Sequence, residues 1–313
     1  MTTNPVHGAL FGVAIGDALG VPAEFKDRSV LRQDPITDFI GYKSHNQPPG
    51  TFSDDSSLTF CLAESLCLGY DLNDAGKRFV MWFDENYWTA DHKVFDIGNT
   101  TRSAIDRLRS GCTPSLAGDF DEDCNGNGSL MRIMPLLFYN RDLELEKRYA
   151  IIKDVSSVTH GHIRSVIACF YYLEFALELL KGKDKHTAYV NTAKSVHQFI
   201  VSKQIERSEV NRFDPLLQED ITKKNIDSIP SWGYVMNTLQ ASMYCFMTTD
   251  NYKDATLMAV NLGNDADTTA AVTGGLAGLY YGFESIPEKW RNEVKRSNDI
   301  KDLCDRLAKA MGL

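Results

Sequence analysis

Apolar residues return every three or four positions along most of this chain, and strict alternation over the length of a strand is scarce. Side chains three and four residues apart share one face of an α-helix, so the pattern calls for an all-α fold. Helices are expected over residues 56–68, 75–87, 100–109, 163–181, 187–203, 234–247 and 268–281, with one or two short amphipathic helices closing the chain over 288–313. The 313 residues suffice for one large domain or two smaller ones. No long Pro- or Ser-rich linker divides them and no fixed-period repeat is visible, so a single domain over residues 1–313 is expected. Residues 202–230 are polar, mixed in charge and weakest in core pattern, and read as a surface excursion.

Charge narrows the partners. A formal net charge of -9 argues against affinity for the phosphate backbone of DNA or RNA, which needs clustered Lys and Arg. The seven cysteines are scattered and include no closely spaced pair of the zinc-binding type, so they read as reduced thiols. No basic start followed by a long apolar stretch opens the chain, and no run of about 18 apolar residues follows. A cytoplasmic protein without membrane association is the expectation.

Two acidic loops each run directly into a helix. The first is Ser53-Asp54-Asp55-Ser56. Adjacent carboxylates at a helix start repel one another, and two arrangements justify them: capping of free backbone N–H groups, or shared coordination of a hard divalent cation. The second is Asp265-Ala266-Asp267-Thr268, entering a helix rich in Ala and Gly. Alternate Asp residues can aim oxygens at one point and Thr268 adds a neutral oxygen, while a cap followed by close helix packing is the plainer reading. Together the loops make a plausible all-oxygen cage for one or two magnesium ions, a donor set that favours magnesium or manganese over zinc. None of the seven histidines stands at ligand spacing beside these carboxylates in the sequence.

Other segments carry weaker signals. Gly126-Asn127-Gly128-Ser129 is a glycine-rich loop whose N–H groups can approach an anion such as a diphosphate, or simply turn the chain. In Gly16-Asp17-Ala18-Leu19-Gly20, small residues lead through an apolar helix to Glu24; close packing accounts for the glycines, and Glu24 is either a solvated loop residue or a base beside the cage. His160 and His162, in a Thr-His-Gly-His run, read equally as surface or capping residues.

Taken in order, GDALGVPAEF (16–25), FSDDSS (52–57), DIGNTTRSAI (96–105), GNGSLMRIMPL (126–136), VTHGH (158–162), GYVMNTLQASMYCF (233–246) and GNDADTTAAVTGGLAGLYYG (263–282) resemble the ADP-ribosylglycohydrolase family. That family includes dinitrogenase-reductase-activating glycohydrolases and ADP-ribosylarginine and ADP-ribosylserine hydrolases, and the match spans roughly residues 8–281. The resemblance implies a compact orthogonal multi-helix bundle with two divalent ions, magnesium or alternatively manganese, at the base of a cleft. Ser53, Asp54 and Asp55 match the first ligand group, and Asp265, Asp267 and Thr268 the second. Glu24 matches a glutamate implicated in acid/base work, and Asp96 falls where some bacterial members place an active-site aspartate. Gly98 falls beside it, on the substrate side. Gly126, Asn127, Gly128 and Ser129 fall on the loop that cradles the diphosphate, and His160 and Tyr234 near positions lining the ADP-ribose.

There are departures from the family pattern. Ser53 and Ser56 stand where many relatives have threonine, which retains the hydroxyl. Asp123-Cys124-Asn125 replaces the glycine-serine-tyrosine run of the serine-specific hydrolases, pointing away from that linkage, and Asn237 replaces a carboxylate found in many members. The activity implied is metal-dependent hydrolysis of the bond between ADP-ribose and a protein side chain, with arginine the leading linkage. The alternatives are another ADP-ribosyl conjugate, serine-linked or O-acetyl-ADP-ribose, and a non-catalytic ADP-ribose-binding module. Glu24, Asp55 and Asp96 are the candidates to move protons. The expected partners are an ADP-ribosylated protein and ADP-ribose, with the chain itself a monomer.

Overall fold

The computed structural model describes residues 4–313. Among them the chain forms sixteen α-helices joined by loops and short 3-10 turns, with no β-sheet, as the periodicity requires. In chain order they are α1 (Pro5–Gly20), α2 (Arg28–Gln33), α3 (Asp54–Leu66), α4 (Leu72–Glu85), α5 (Asn99–Arg109), α6 (Leu136–Asn140), α7 (Leu145–Ser157) and α8 (Ile163–Leu180). There follow α9 (Lys185–Ser202), α10 (Arg207–Asn211), α11 (Asp214–Leu217), α12 (Val235–Met247), α13 (Tyr252–Val260), α14 (Ala266–Tyr281), α15 (Glu288–Glu293) and α16 (Ser297–Met311). No helix among the described residues is long and apolar enough to cross a membrane.

At the centre lie α1 and α14, both buried along almost their whole length. They run antiparallel with backbone against backbone. A methyl group placed on Gly8 would lie 2.2 Å from the Gly278 carbonyl oxygen, on Gly12 2.1 Å from that of Gly274, and on Gly16 2.1 Å from that of Ala270. A repeat of four puts Gly8, Gly12, Gly16 and Gly20 on one edge of α1, and only the absence of Cβ atoms lets the partner approach this far. The consequence for the site is positional. Gly20, at the end of α1, meets Asp267 in the first turn of α14, where its missing methyl would lie 2.3 Å from the Asp267 Cα.

The remaining helices wrap this pair. α3 and α16 pack along α1, whereas α8, α12 and α13 cover α14. In α16 the buried residues Ile300, Leu303, Cys304, Leu307 and Ala308 recur at three- and four-residue spacing, and Gly312 ends the helix in the left-handed conformation.

Residues 202–230 are more than a surface excursion. Phe213, Leu216 and Ile221 are fully buried and Val210 and Leu217 nearly so, packed toward α9 and α12. The segment's helical pieces are four or five residues long, too short for the apolar period to register in the sequence.

Replacing Gly12 by Val is expected to force α1 and α14 apart and to destabilise the protein by about 3 kcal/mol or more, the upper range for overpacking. The urea midpoint measures it, and an unchanged midpoint would contradict the backbone contact.

Candidate active site

The first acidic loop opens α3. Ser53 caps that helix, its hydroxyl accepting from Asp55 N at 3.3 Å and donating to Asp55 Oδ2 at 2.8 Å. The stronger cap comes from elsewhere in the chain. Asp17, fully buried on α1, accepts from Ser53 N at 2.9 and 3.0 Å, from Ser56 N at 3.0 Å and from Ser56 Oγ at 2.5 Å. One carboxylate therefore satisfies the Ser53 and Ser56 N–H groups at the α3 start and ties that start to the end of α1. With capping done by Asp17 and Ser53, the Asp54 and Asp55 side chains are left for other use.

The second acidic loop is brought to the same place by the antiparallel pair. Asp265 stands at the head of α14 and Asp267 and Thr268 in its first turn, with Thr268 Oγ1 3.5 Å from Asp55 Oδ2. Glu24 follows α1 on a turn locked to this loop: Phe25 N donates to Asn264 O at 2.6 Å and Asn264 N to Lys26 O at 2.8 Å. Phe25 and Asn264 both adopt positive φ, 63° and 59°, conformations that persist only where the surroundings impose them.

These groups floor a cleft of about 360 Å³. Glu24, Asp54, Asp265 and Thr268 line it, with Asp96 and Gly98 from the loop before α5; Ser53, Asp55 and Asp267 lie just beneath, buried. One wall is the loop Gly126-Asn127-Gly128. Asn127 braces it against the acidic floor, donating from Nδ2 to Asp265 Oδ2 at 2.6 Å and to Thr238 Oγ1 at 2.8 Å. His160 sits against the glycines, where a methyl on Gly128 would lie 2.7 Å from its Cε1. Arg132 donates to Thr159 Oγ1 at 2.8 Å, and that hydroxyl is 2.9 Å from His160 Nδ1. With the hydroxyl proton donated to Nδ1, the neutral ring carries its hydrogen on Nε2, on the side of the loop. Burial, then the Arg132 charge, depresses His160 to about 3, so the ring is neutral.

Two expected substrate contacts fall outside the cleft. Ser129 is fully buried behind the loop, its hydroxyl accepting from Ser156 Oγ at 2.9 Å, and Tyr234 supports the wall through the bridge between its backbone and Gly126 rather than lining it. Conversely, the fold supplies a histidine where sequence spacing offered none. His45 Nε2 is in hydrogen-bond contact with Glu24 Oε2. Asp17 and His45 were legible only as residue types, since nothing local marks a carboxylate as the cap of a helix 36 residues on, or a loop histidine as its partner from 21 residues away.

The model of the ADP-ribosylglycohydrolase family matches residues 2–313. This chain belongs to that family. It is 33% identical to the ADP-ribosylarginine hydrolase Tri1 of Serratia proteamaculans over 97% of its own length and 79% of that protein's. It is 28% identical to the ADP-ribosyl-(dinitrogen reductase) glycohydrolase of Rhodospirillum rubrum over the full length of both. A solved structure titled ADP-ribosylglycohydrolase-related protein complex superposes with a TM-score of 0.82 at 28% identity, covering 98% of each chain. The chain is accordingly a hydrolase of this family.

The carboxylates of this family member are held far from their ordinary state. Burial first, and then the neighbouring acids, keep Asp54, Asp55 and Asp267 well above the usual carboxylate range. Burial lifts Glu24 to about 7 against the pull of its His45 hydrogen bond, and raises Asp96 as well. Two carboxylates about 4 Å apart repel by about 4 kcal/mol at an effective dielectric of 20, so this grouping calls for a compensating cation. Asp55 Oδ1 and Asp267 Oδ2 are buried without any hydrogen-bond partner, an expensive state unless a ligand satisfies them. One oxygen each of Asp17, Asp55 and Asp267 lie within 4.8 Å of one another, as do ligand atoms of Glu24, His45, Asp96 and Asp267. Both Asp17 oxygens accept capping bonds, whereas Asp55 Oδ1 and Asp267 Oδ2 have no partner at the first position. The residues present therefore fit hard divalent cations.

A carboxylate whose folded-state pKa is raised binds more protons folded than unfolded, so stability falls as pH rises above the ordinary carboxylate value toward the folded one. Metal-free protein is therefore expected to melt at a lower temperature at pH 8 than at pH 5.5. Added magnesium should raise the melting temperature strongly at pH 8 and little at pH 5.5, and a magnesium shift independent of pH would contradict the assignment.

Proposed function

We propose that this chain hydrolyses the N-glycosidic bond joining ADP-ribose to an arginine side chain of a protein, with two magnesium ions bound, manganese serving in their place. The observation that carries the reading is the pair of partnerless buried carboxylate oxygens, Asp55 Oδ1 and Asp267 Oδ2, under a cleft walled by a glycine-rich loop. The arginine linkage is supported by 33% and 32% identity, over 97% and 96% of the chain, to two proteins named ADP-ribosylarginine hydrolase, from Serratia proteamaculans and Pseudomonas putida.

Ser53, Asp54, Asp55, Asp265, Asp267 and Thr268 would hold the cations. When bound, these would supply Lewis-acid polarisation of oxygen atoms at the site. The Gly126 and Gly128 backbone and the His160 Nε2–H present donors to the diphosphate without carrying charge, and absence of Cβ atoms gives the anion room. Met131 and Ile97 add apolar wall. As the C–N bond lengthens the ribose takes on oxocarbenium character, which the surrounding carboxylates favour electrostatically. Glu24 moves the proton. It lines the cleft, whereas Asp55 lies beneath the floor, and burial poises its carboxyl near neutrality. Its carboxylate takes a proton from water as the water oxygen bonds to the anomeric carbon. The electron pair of the broken C–N bond stays on the guanidine nitrogen, which receives that proton. Asp96 lines the same cleft and adds a second carboxylate close to Glu24.

Incubation with ADP-ribosylarginine is expected to release free ADP-ribose with magnesium and none with chelator, followed by chromatography. Release only from serine-linked or O-acetyl conjugates would reassign the linkage. Asp267→Asn should lower turnover by at least about 1000-fold, a loss of the size metal-assisted steps support. Because it removes a repelled buried carboxylate, its melting temperature in chelator should equal or exceed the wild type's. Full activity in that variant would refute the cation-centred site.

A further inference from the structure

Glu24 is gripped by one loop at both its backbone and its side chain. Ser44 Oγ donates to the Glu24 carbonyl at 2.6 Å and lies 3.2 Å from that of Pro22, while the next residue, His45, places Nε2 against Glu24 Oε2. The loop is closed on itself, since Tyr42 N donates to Gln47 O at 2.8 Å and Gln47 Nε2 to His45 O at 3.2 Å. The His45 ring lies between Phe25 and Phe95, with centroids 5.6 and 5.3 Å away. The two side chains are shielded, 13% exposed for His45 and 8% for Glu24. Among the described residues, His45 is the one side-chain donor to the Glu24 carboxylate; the other groups gathered there, Asp96 and Asp267, are acids. Repulsion from them would turn an unrestrained Glu24 toward solvent.

We infer that His45 is a positioning residue for the reaction: by donating from Nε2 to one Glu24 oxygen it fixes the direction in which the other oxygen meets the water and the leaving nitrogen. The inference rests on the hydrolase reading above. Phe25 and Phe95 hold the imidazole plane, Ser44 holds the Glu24 backbone, and together they remove the rotamer freedom a glutamate at a cleft wall otherwise has.

The test compares wild type, His45→Phe, which keeps a ring between the two phenylalanines but has no donor, and His45→Gln, which restores an N–H at the position of Nε2. With ADP-ribosylarginine, His45→Phe is expected to lose about 30-fold in kcat, a part of what general acid–base catalysis contributes. Its KM, and its affinity for ADP-ribose by calorimetry, should stay close to wild type, and His45→Gln should recover most of the rate. Nitrogen-15 NMR of the metal-free protein gives a readout independent of turnover: a slowly exchanging imidazole N–H resonance, absent in His45→Phe, should vanish in Glu24→Ala. An active wild type with undiminished His45→Phe turnover overturns the inference alone. Equal losses in both variants with weakened ADP-ribose binding also overturn it, in favour of a purely structural loop. A wild type that releases nothing overturns the parent reading and the inference with it, even where the N–H resonance confirms the hydrogen bond.

Discussion

The backbone contact between α1 and α14 is the constraint on which the rest of the molecule depends. Gly8, Gly12, Gly16 and Gly20 present no side chain, so the two helices meet carbonyl to Cα over three turns, and the register of the pair is set to within an atom's diameter. Since the helices run antiparallel, the same contact decides which ends coincide. Asp17 and Glu24 leave one helix at the point where Asp265, Asp267 and Thr268 enter the other.

From that junction the site is assembled by hydrogen bonds rather than by burial. Asp17 holds the start of α3, and with it Asp54 and Asp55; Asn127 holds the glycine-rich wall to Asp265; the reciprocal bonds of Phe25, Lys26 and Asn264 hold the Glu24 turn to the α14 loop. Each tie crosses a long stretch of chain. The result concentrates carboxylates at one point and leaves Asp55 Oδ1 and Asp267 Oδ2 buried without partners, a destabilising arrangement in isolation and one that a divalent cation converts into a favourable one.

Much of this was visible in the chain itself. All seven helices expected from periodicity are present, and α3 starts two residues earlier than expected because Ser53 and Asp17 draw the acidic pair into its first turn. Of the two readings of that loop the structure shows the cap, made by Ser53, and beside it one Asp55 oxygen, Oδ1, is left without a partner. The acidic loops, Glu24, Asp96 and the glycine-rich wall all meet at one cleft. The residues that fell elsewhere did so for definite reasons. Ser129 lies on the inner side of a loop whose outer side faces the cleft, and Tyr234 meets the wall with its backbone. Residues 202–230 bury Phe213, Leu216 and Ile221 from pieces too short to show a period.

By itself the sequence determined the helical class, the two acidic helix starts, the small-residue edges of α1 and α14, and the family. These are local properties, readable from spacing along a few turns. Only the tertiary structure decided that the two small-residue edges are partners, that Asp17 joins Ser53 in capping α3, and that His45 stands beside Glu24. Those are contacts between segments distant in the chain. Spacing along the backbone constrains which face of a helix a residue occupies, but it carries no information about which other face will cover it.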